Sequence, residues 1–138
     1  MTVILDTNIV IRHLTQEPAD QGQAATLLLK QTSDLVLLDV IAAEIVYVLE
    51  SVYKMPREAV ATALRALLSM RSVSAERGQV VKRSLDLYEL ERMHYTDAYL
   101  VAAAEAVGAT QVASFDKGID KPVTRASNVR RLDPLATP

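Results

Sequence analysis

The sequence contains no cysteine and only two histidines, His13 and His94. Without cysteine there are no disulfides and no thiolate metal ligands, and two imidazoles are too few for most zinc sites. The same absence suits a reducing compartment, and a cytoplasmic protein is expected. No uninterrupted apolar run approaches the roughly 20 residues that a membrane span requires. The N-terminus has no basic segment leading into an apolar one, so no signal peptide is expected. A surplus of positive charge is also missing: the net charge is −2. The chain as a whole is therefore not a basic nucleic-acid binder, which counts against RNA or DNA unless acids and bases are segregated. What is present is apolar bulk. Half of the 138 residues are hydrophobic, which excludes general disorder and predicts one domain, 1–138, with a real core.

The pattern along the chain alternates strands and helices. Val3–Leu5 is a short apolar, β-branched run of the kind that forms a buried strand. Thr7-Asn8 follows with side chains suited to capping a helix over Asn8–Leu14. A second helix is expected over Ala19–Lys30, with Ala24, Leu27 and Leu28 on its apolar face. Leu35–Leu38 reads as the second strand, and Asp39 as the N-cap of a helix, Val40–Tyr53, that is apolar nearly all round and so buried on both sides. Pro56 opens the next helix, through about Met70. A brief strand is centred on Val73. Gly78–Arg92 is amphipathic, with Val80, Val81, Leu85 and Tyr88 inward. Thr96 is expected to cap an alanine-rich helix, Asp97–Val107, that Gly108 closes. Gln111–Ser114 is the fourth strand, and Val129–Leu132 a further edge strand. The alternation predicts an α/β fold with a central parallel sheet of four to five strands, flanked by helices on both faces.

In such a fold the helix after a strand starts at the carboxyl edge of the sheet, where ligands bind. Asp6 ends the first strand. Glu44 lies in the early turns of the helix after the second strand, Asp97 opens the helix that leads into the fourth, and Asp116 follows the fourth. All are thus expected at one edge. Each also has a plain role open to it: Asp6 as a cap, Asp97 as an acid suited to a helix N-terminus, Asp116 as a turn residue. Glu44 has none, being the one charge between Val40 and Leu49 and lying beyond the capping-box position. On a buried helix it requires a partner or a cation. Clustered carboxylates repel one another unless a cation neutralises them, and oxygen-only ligands suit Mg²⁺ or Mn²⁺. A divalent ion held this way suits phosphodiester hydrolysis. Thr7, Asn8 and Ser114 are placed to orient ligands or water, and Lys117, Lys121, Arg125, Arg130 and Arg131 to hold a nucleic-acid backbone, or else to form a solvated surface that balances the acids.

The segments Val-Ile-Leu-Asp6-Thr-Asn, the isolated Glu44, Tyr-Thr-Asp97-Ala-Tyr-Leu-Val-Ala-Ala-Ala and Val-Ala-Ser-Phe-Asp116-Lys together resemble the PIN-domain ribonucleases, and among them most the VapC-type toxins of toxin–antitoxin pairs. The ordered set carries the resemblance, over nearly the whole chain. It implies a hydrolase, a Mg²⁺- or Mn²⁺-dependent endoribonuclease acting on RNA, whose metal-binding and catalytic acids are Asp6, Glu44, Asp97 and Asp116. It further implies a homodimer and inhibition by a small antitoxin of VapB type whose C-terminal segment enters the active-site groove. Asp120 is a further acid that does not match the pattern firmly, and Ser114 stands where many relatives have threonine. Two other readings compete. The acidic pocket could be a binding module that accepts a partner's arginine without turnover. Another Asp-dependent phosphohydrolase of α/β fold is the second, but a haloacid-dehalogenase-like phosphatase requires an aspartate where Asn8 stands. A glycine-rich phosphate loop and a nucleophile elbow are both absent.

Overall fold

The computed structural model describes residues 1–121 and 126–136, and the chain divides into two compact units, Met1–Gly78 and Gln79–Pro138. The first unit runs β1 (Val3–Ile4), α1 (Thr7–Thr15), α2 (Ala19–Gln31), β2 (Leu35–Leu37), α3 (Asp39–Ser51), α4 (Arg57–Ser69) and β3 (Val73–Ala75). Its strands form a parallel sheet in the order β1-β2-β3, with Val3 opposite Leu35 and Leu35 opposite Val73. Parallel neighbours require crossover connections, which α1–α2 and α3–α4 supply. The core of this unit gathers Leu5, Val10, Ile11, Leu29, Leu35, Leu37, Ile45, Leu49, Val60 and Leu64, each at most 4% exposed. Each such burial is worth about 1.5–3 kcal/mol.

Several helix faces and starts differ from the sequence-based expectation. On α2 the buried residues are Gly22, Ala25 and Leu29, while Ala24 and Leu27 face outward. Gly22 sets that rotation. A Cβ there would stand 2.6 Å from the Gln16 Cα and 3.1 Å from the Arg12 carbonyl, so only glycine permits α1 and α2 to approach this closely. On α3, Ala42, Ile45, Val46 and Leu49 are buried, but Val40, Tyr47 and the C-cap residue Val52 are each about two-thirds exposed. The helix therefore buries one stripe, not its whole circumference. Asp39 is its first residue, and Leu38 holds the cap position without a side-chain bond.

The second unit runs α5 (Gly78–Leu90), α6 (Tyr95–Val107), β4 (Gln111–Ala113), a 3-10 helix (Lys117–Asp120) and β5 (Arg130–Leu132). Strands β4 and β5 pair in parallel, Val112 opposite Arg131. Within each unit the strands pair in parallel, as expected, but the five strands among the described residues fall into a sheet of three and a sheet of two, not one of four to five. The ladders span only two or three residues each, so a short strand pairs with few neighbours. Val80, Val81, Leu85 and Tyr88 of α5 are buried as the amphipathic pattern predicts, and Tyr88 meets Tyr95 edge to face at 6.0 Å. Gly108 ends α6 in the left-handed conformation, φ 76°, its N–H on the carbonyls of Ala104 and Glu105. Helix α6 begins at Tyr95, one residue before the Thr96 that the sequence offers as its cap, and His94 takes the cap position.

Among the described residues no helix is long and apolar enough to cross a membrane.

Candidate active site

The structure brings the acids together as two pairs. In the first unit, Asp6 and Glu44 line one open cavity of about 320 Å³ with Thr7, Asn8, Ile11, Arg12, Val48, Val52 and Tyr53. Asp6 comes off the end of β1, since Leu5 is buried and its N–H still bonds the Val36 carbonyl in the β2 ladder. Its backbone is extended and its Oδ1 accepts the Thr7 N–H at 2.8 Å, so Asp6 itself caps α1. The capping role expected of Thr7-Asn8 thus falls one residue earlier, because α1 starts at Thr7. Thr7 is buried instead, and its Oγ1 has no hydrogen-bond partner among the described residues. Glu44 is exposed, so, contrary to the sequence-based expectation, burial does not force a cation on it. It stands on the outward face of α3, the face that also shows Val40 and Tyr47.

The second unit holds the other pair in a different environment. Asp97 sits in the first turn of α6 and is only 8% exposed. Its Oδ2 is buried with no hydrogen-bond partner among the described residues. Desolvation raises its pKa above the usual carboxylate value, and the neighbouring charge of Asp116 raises it further, with His94 and Lys121 pulling the other way. Asp116 is exposed at the start of the 3-10 helix, where its Oδ1 accepts the Gly118 N–H at 2.8 Å. A Cβ on Gly118 would stand 2.6 Å from Asp97 Oδ2 and 3.1 Å from Asp116 Oδ1. The Gly118 backbone therefore lies directly against both carboxylates, a position that a larger residue would crowd. Capping and turn roles are filled here too, and they account for the bonds of Asp116. They do not account for a buried, unpartnered carboxylate oxygen beside a second carboxylate.

Ser114 orients this loop, as its hydroxyl accepts the Asp116 N–H at 2.9 Å. Asp120 points elsewhere: the Arg131 Nε donates to both of its oxygens at 3.1–3.2 Å. The basic residues after Asp116 are largely engaged within the unit. Lys121 donates to the Arg92 carbonyl, Arg130 to the carbonyls of Ser127 and Val129, and Arg131 to Asp120 and the Ser114 carbonyl. Lys117 is exposed, and Arg125 lies outside the described residues. Sequence reasoning missed Gly118 and Arg131 as organisers of the loop. Gly118 carried a signal, since a glycine two residues after an acid permits a tight turn.

The sequence matches the PIN domain family over residues 3–123. The chain belongs to the PIN domain family. Among solved structures it is similar to VapBC2 from Rickettsia felis, determined bound to a DNA fragment from their promoter. That likeness has 21% sequence identity, covers 96% of this chain and 98% of that one, and has a TM-score of 0.37. No curated protein matches. PIN domains are generally nucleases that use divalent metal ions. Among the described residues no three His, Cys, Asp or Glu side chains stand grouped as a cation cage. A pair of carboxylates nevertheless fits Mg²⁺, which keeps several of its waters and is commonly held by one or two acids. The unpartnered Asp97 oxygen beside Asp116 is chemically the kind of donor that such an ion satisfies.

Proposed function

We propose that this PIN domain is a Mg²⁺- or Mn²⁺-dependent endoribonuclease and the toxin of a VapBC-type pair. Asp6, Glu44, Asp97 and Asp116 are its acids, and residues 1–138 act as one domain. The observation that carries the reading is the second-unit pair: a desolvated Asp97 with an orphaned oxygen, next to Asp116, in a chain of this family. Such a pair is costly without a cation and stable with one. In the second unit Asp97 and Asp116 would hold the ion, and Asp6 and Glu44 are the first unit's acids proposed for the same role. When bound, it would supply charge neutralisation at the phosphate and acidify water. The chain's own residues do the rest. The Gly118 N–H fixes one Asp116 oxygen, and Ser114 holds the loop at the Asp116 amide. The cavity that Asp6 and Glu44 share is open to solvent, wide enough to receive a backbone phosphate, and flanked by Arg12 and Asn8 as donors.

The partners follow from the same reading: an RNA substrate, a small VapB-type antitoxin whose basic side chain would compete for the acids, and a second copy of the chain. The apolar side chains that α3 leaves exposed support an assembled form, since Val40, Tyr47 and Val52 are unusual for a solvated helix face. A cytoplasmic location goes with this role.

The test is cleavage of RNA by partner-free wild-type protein and by Asp6→Asn, each with Mn²⁺, Mg²⁺ or chelator, with folding checked by circular dichroism. Metal-dependent cleavage by wild type that Asp6→Asn abolishes is the expected result. A folded Asp6→Asn that cleaves at the wild-type rate removes Asp6 from the mechanism. Wild type that binds the metal but turns over no RNA favours an acidic pocket built to accept a partner's arginine.

A further inference from the structure

We infer that Arg131 is a positioning residue for Asp116, and that Asp120 is its anchor and not a further metal-binding acid. The inference rests on the nuclease reading above. Arg131 lies on β5 with its side chain only 12% exposed. Its guanidinium spans both ends of the loop that carries Asp116. At one end Nη1 donates to the Ser114 carbonyl at 3.1 Å, where β4 has just ended. At the other, Nε donates to the Asp120 carboxylate at the close of the 3-10 helix. Asp133 adds a second carboxylate to Nη1 at 3.5 Å.

Between those anchors four further hydrogen bonds hold the loop. The Ser114 N–H bonds the Leu132 carbonyl, and the Ser114 hydroxyl accepts the Asp116 N–H. Asp116 accepts the Gly118 N–H on its side chain and the Ile119 N–H on its carbonyl, and Ile119 is fully buried. Asp116 is the exposed crest of a loop whose two feet are tied to one planar cation. A guanidinium fork can hold two acceptors in fixed directions, which an ammonium cannot. The placing of Asp116 against Asp97 through Gly118 therefore depends on a residue that touches neither acid.

The same geometry excludes two simpler roles. With its donors on Asp120, Asp133 and Ser114, Arg131 is not a free cation for an RNA phosphate. With both oxygens on Arg131, Asp120 is already neutralised and lacks the unmet demand that Asp97 shows.

The test compares full-length wild type with Arg131→Lys, Asp120→Asn and the double variant. Asp120 is nearly half exposed, so Asp120→Asn keeps the test alive if Arg131→Lys does not fold. The first readout needs no activity: hydrogen exchange of the Gly118 amide in metal-free protein. Faster exchange at Gly118 in each folded variant, with α6 amides unchanged, is expected. The second is Mn²⁺ affinity from thermal stability, expected to weaken by about tenfold, as for partners that orient metal ligands. In cleavage assays kcat falls and KM stays near wild type. The double variant is no worse than the poorer single one, because both changes cut one clamp.

A raised KM with normal kcat, and a flatter salt dependence, would make Arg131 a phosphate contact and overturn the proposal. Loss of Mn²⁺ binding in Asp120→Asn with unchanged Gly118 exchange would make Asp120 a ligand and overturn it too. If wild type cleaves no RNA, the nuclease reading fails by itself, and Gly118 exchange still decides whether the clamp orders the loop.

Discussion

The two pairs of acids share a charge type but little else. Asp6 and Glu44 are both exposed, one capping a helix and the other on a solvated helix face. Asp97 is buried, lacks a partner for one oxygen and is pushed toward its neutral form by desolvation and by Asp116. Solvated carboxylates cost the fold little and are worth little to it. A desolvated one costs stability that a cation can return. The stress of the metal-free protein is therefore concentrated in the second unit, and so is its linkage to metal.

The sharpest way to break this contrast is Asp97→Asn. Cleavage should fall by roughly 10³-fold or more, as for a residue at the reacting centre. The Mn²⁺-induced rise in Tm should vanish, because a ligand stabilises only what it binds. The metal-free variant should melt higher than wild type at neutral pH. The sign follows from the raised pKa of Asp97. The fold favours the neutral carboxyl, so this contribution is full below the ordinary value of 3.8 and is lost as pH rises through the raised one. Hence the Tm advantage of Asp97→Asn should shrink on acidification toward pH 3.8. A metal-free Asp97→Asn that melts lower at neutral pH would show that the buried carboxylate is not stressed.

Next comes Gly118→Ala. Its Cβ would meet Asp97 Oδ2 at 2.6 Å, so the carboxylate must turn aside. Misplacing a reacting group by about an ångström costs on the order of 10²-fold in rate. Circular dichroism should be unchanged while single-turnover cleavage drops. A fully active Gly118→Ala would show that the loop tolerates movement.

Glu44→Gln sharpens the contrast from the other side. Glu44 is exposed, so metal-free stability should change by less than about 0.5 kcal/mol in urea melts. Cleavage should still fall by about tenfold, the lower range for groups that support a metal. An effect on Mn²⁺-dependent Tm as large as that of Asp97→Asn would erase the difference between the pairs. The smallest effect is a stability one. Asp6→Ala should lose about 1 kcal/mol through the α1 cap, while Asp6→Asn keeps the cap and most of that stability.

Much of this was legible in the sequence. The apolar runs at Val3, Leu35 and Val73, the 3.6-residue stripe of α5 and the glycine after α6 lie where periodicity and capping chemistry place them. Asp6 follows β1, Asp116 follows β4, Asp97 lies in the first turn of α6 and Glu44 in the second turn of α3, the positions along the chain that βαβ geometry assigns them. What was not legible depends on three-dimensional approach. Ala24 and Leu27 are as apolar as Ala25 and Leu29, and only the close passage at Gly22 decides which pair turns inward. The α3 helix is apolar nearly all round, so composition could not say that Tyr47 and Val52 face out, and the burial argument for Glu44 failed with it. Cap positions shifted by one residue at α1 and α3 and by two at α6, because the residue that opens a helix is set by the first hydrogen-bonded turn and not by the nearest capping side chain, and Leu38 and His94 hold the cap position with no side-chain bond. The sequence offered Arg131 only as a phosphate contact or a solvated charge and gave no sign of its clamp, because a clamp between β4, β5 and the 3-10 helix joins residues apart in the chain.

The Gly22 crossing has a consequence for mutational screens. Any side chain at that position meets backbone, not a movable side chain, so α1 must be displaced along with Asn8 and Arg12, which it carries to the mouth of the acidic cavity. On the proposed toxin reading, a selection for cells that survive expression of this protein would then recover Gly22 variants alongside changes in the acids. Such survivors would carry every catalytic group intact. They would map the tolerance of a helix crossing, and sequencing alone would misfile Gly22 as a residue of the reaction.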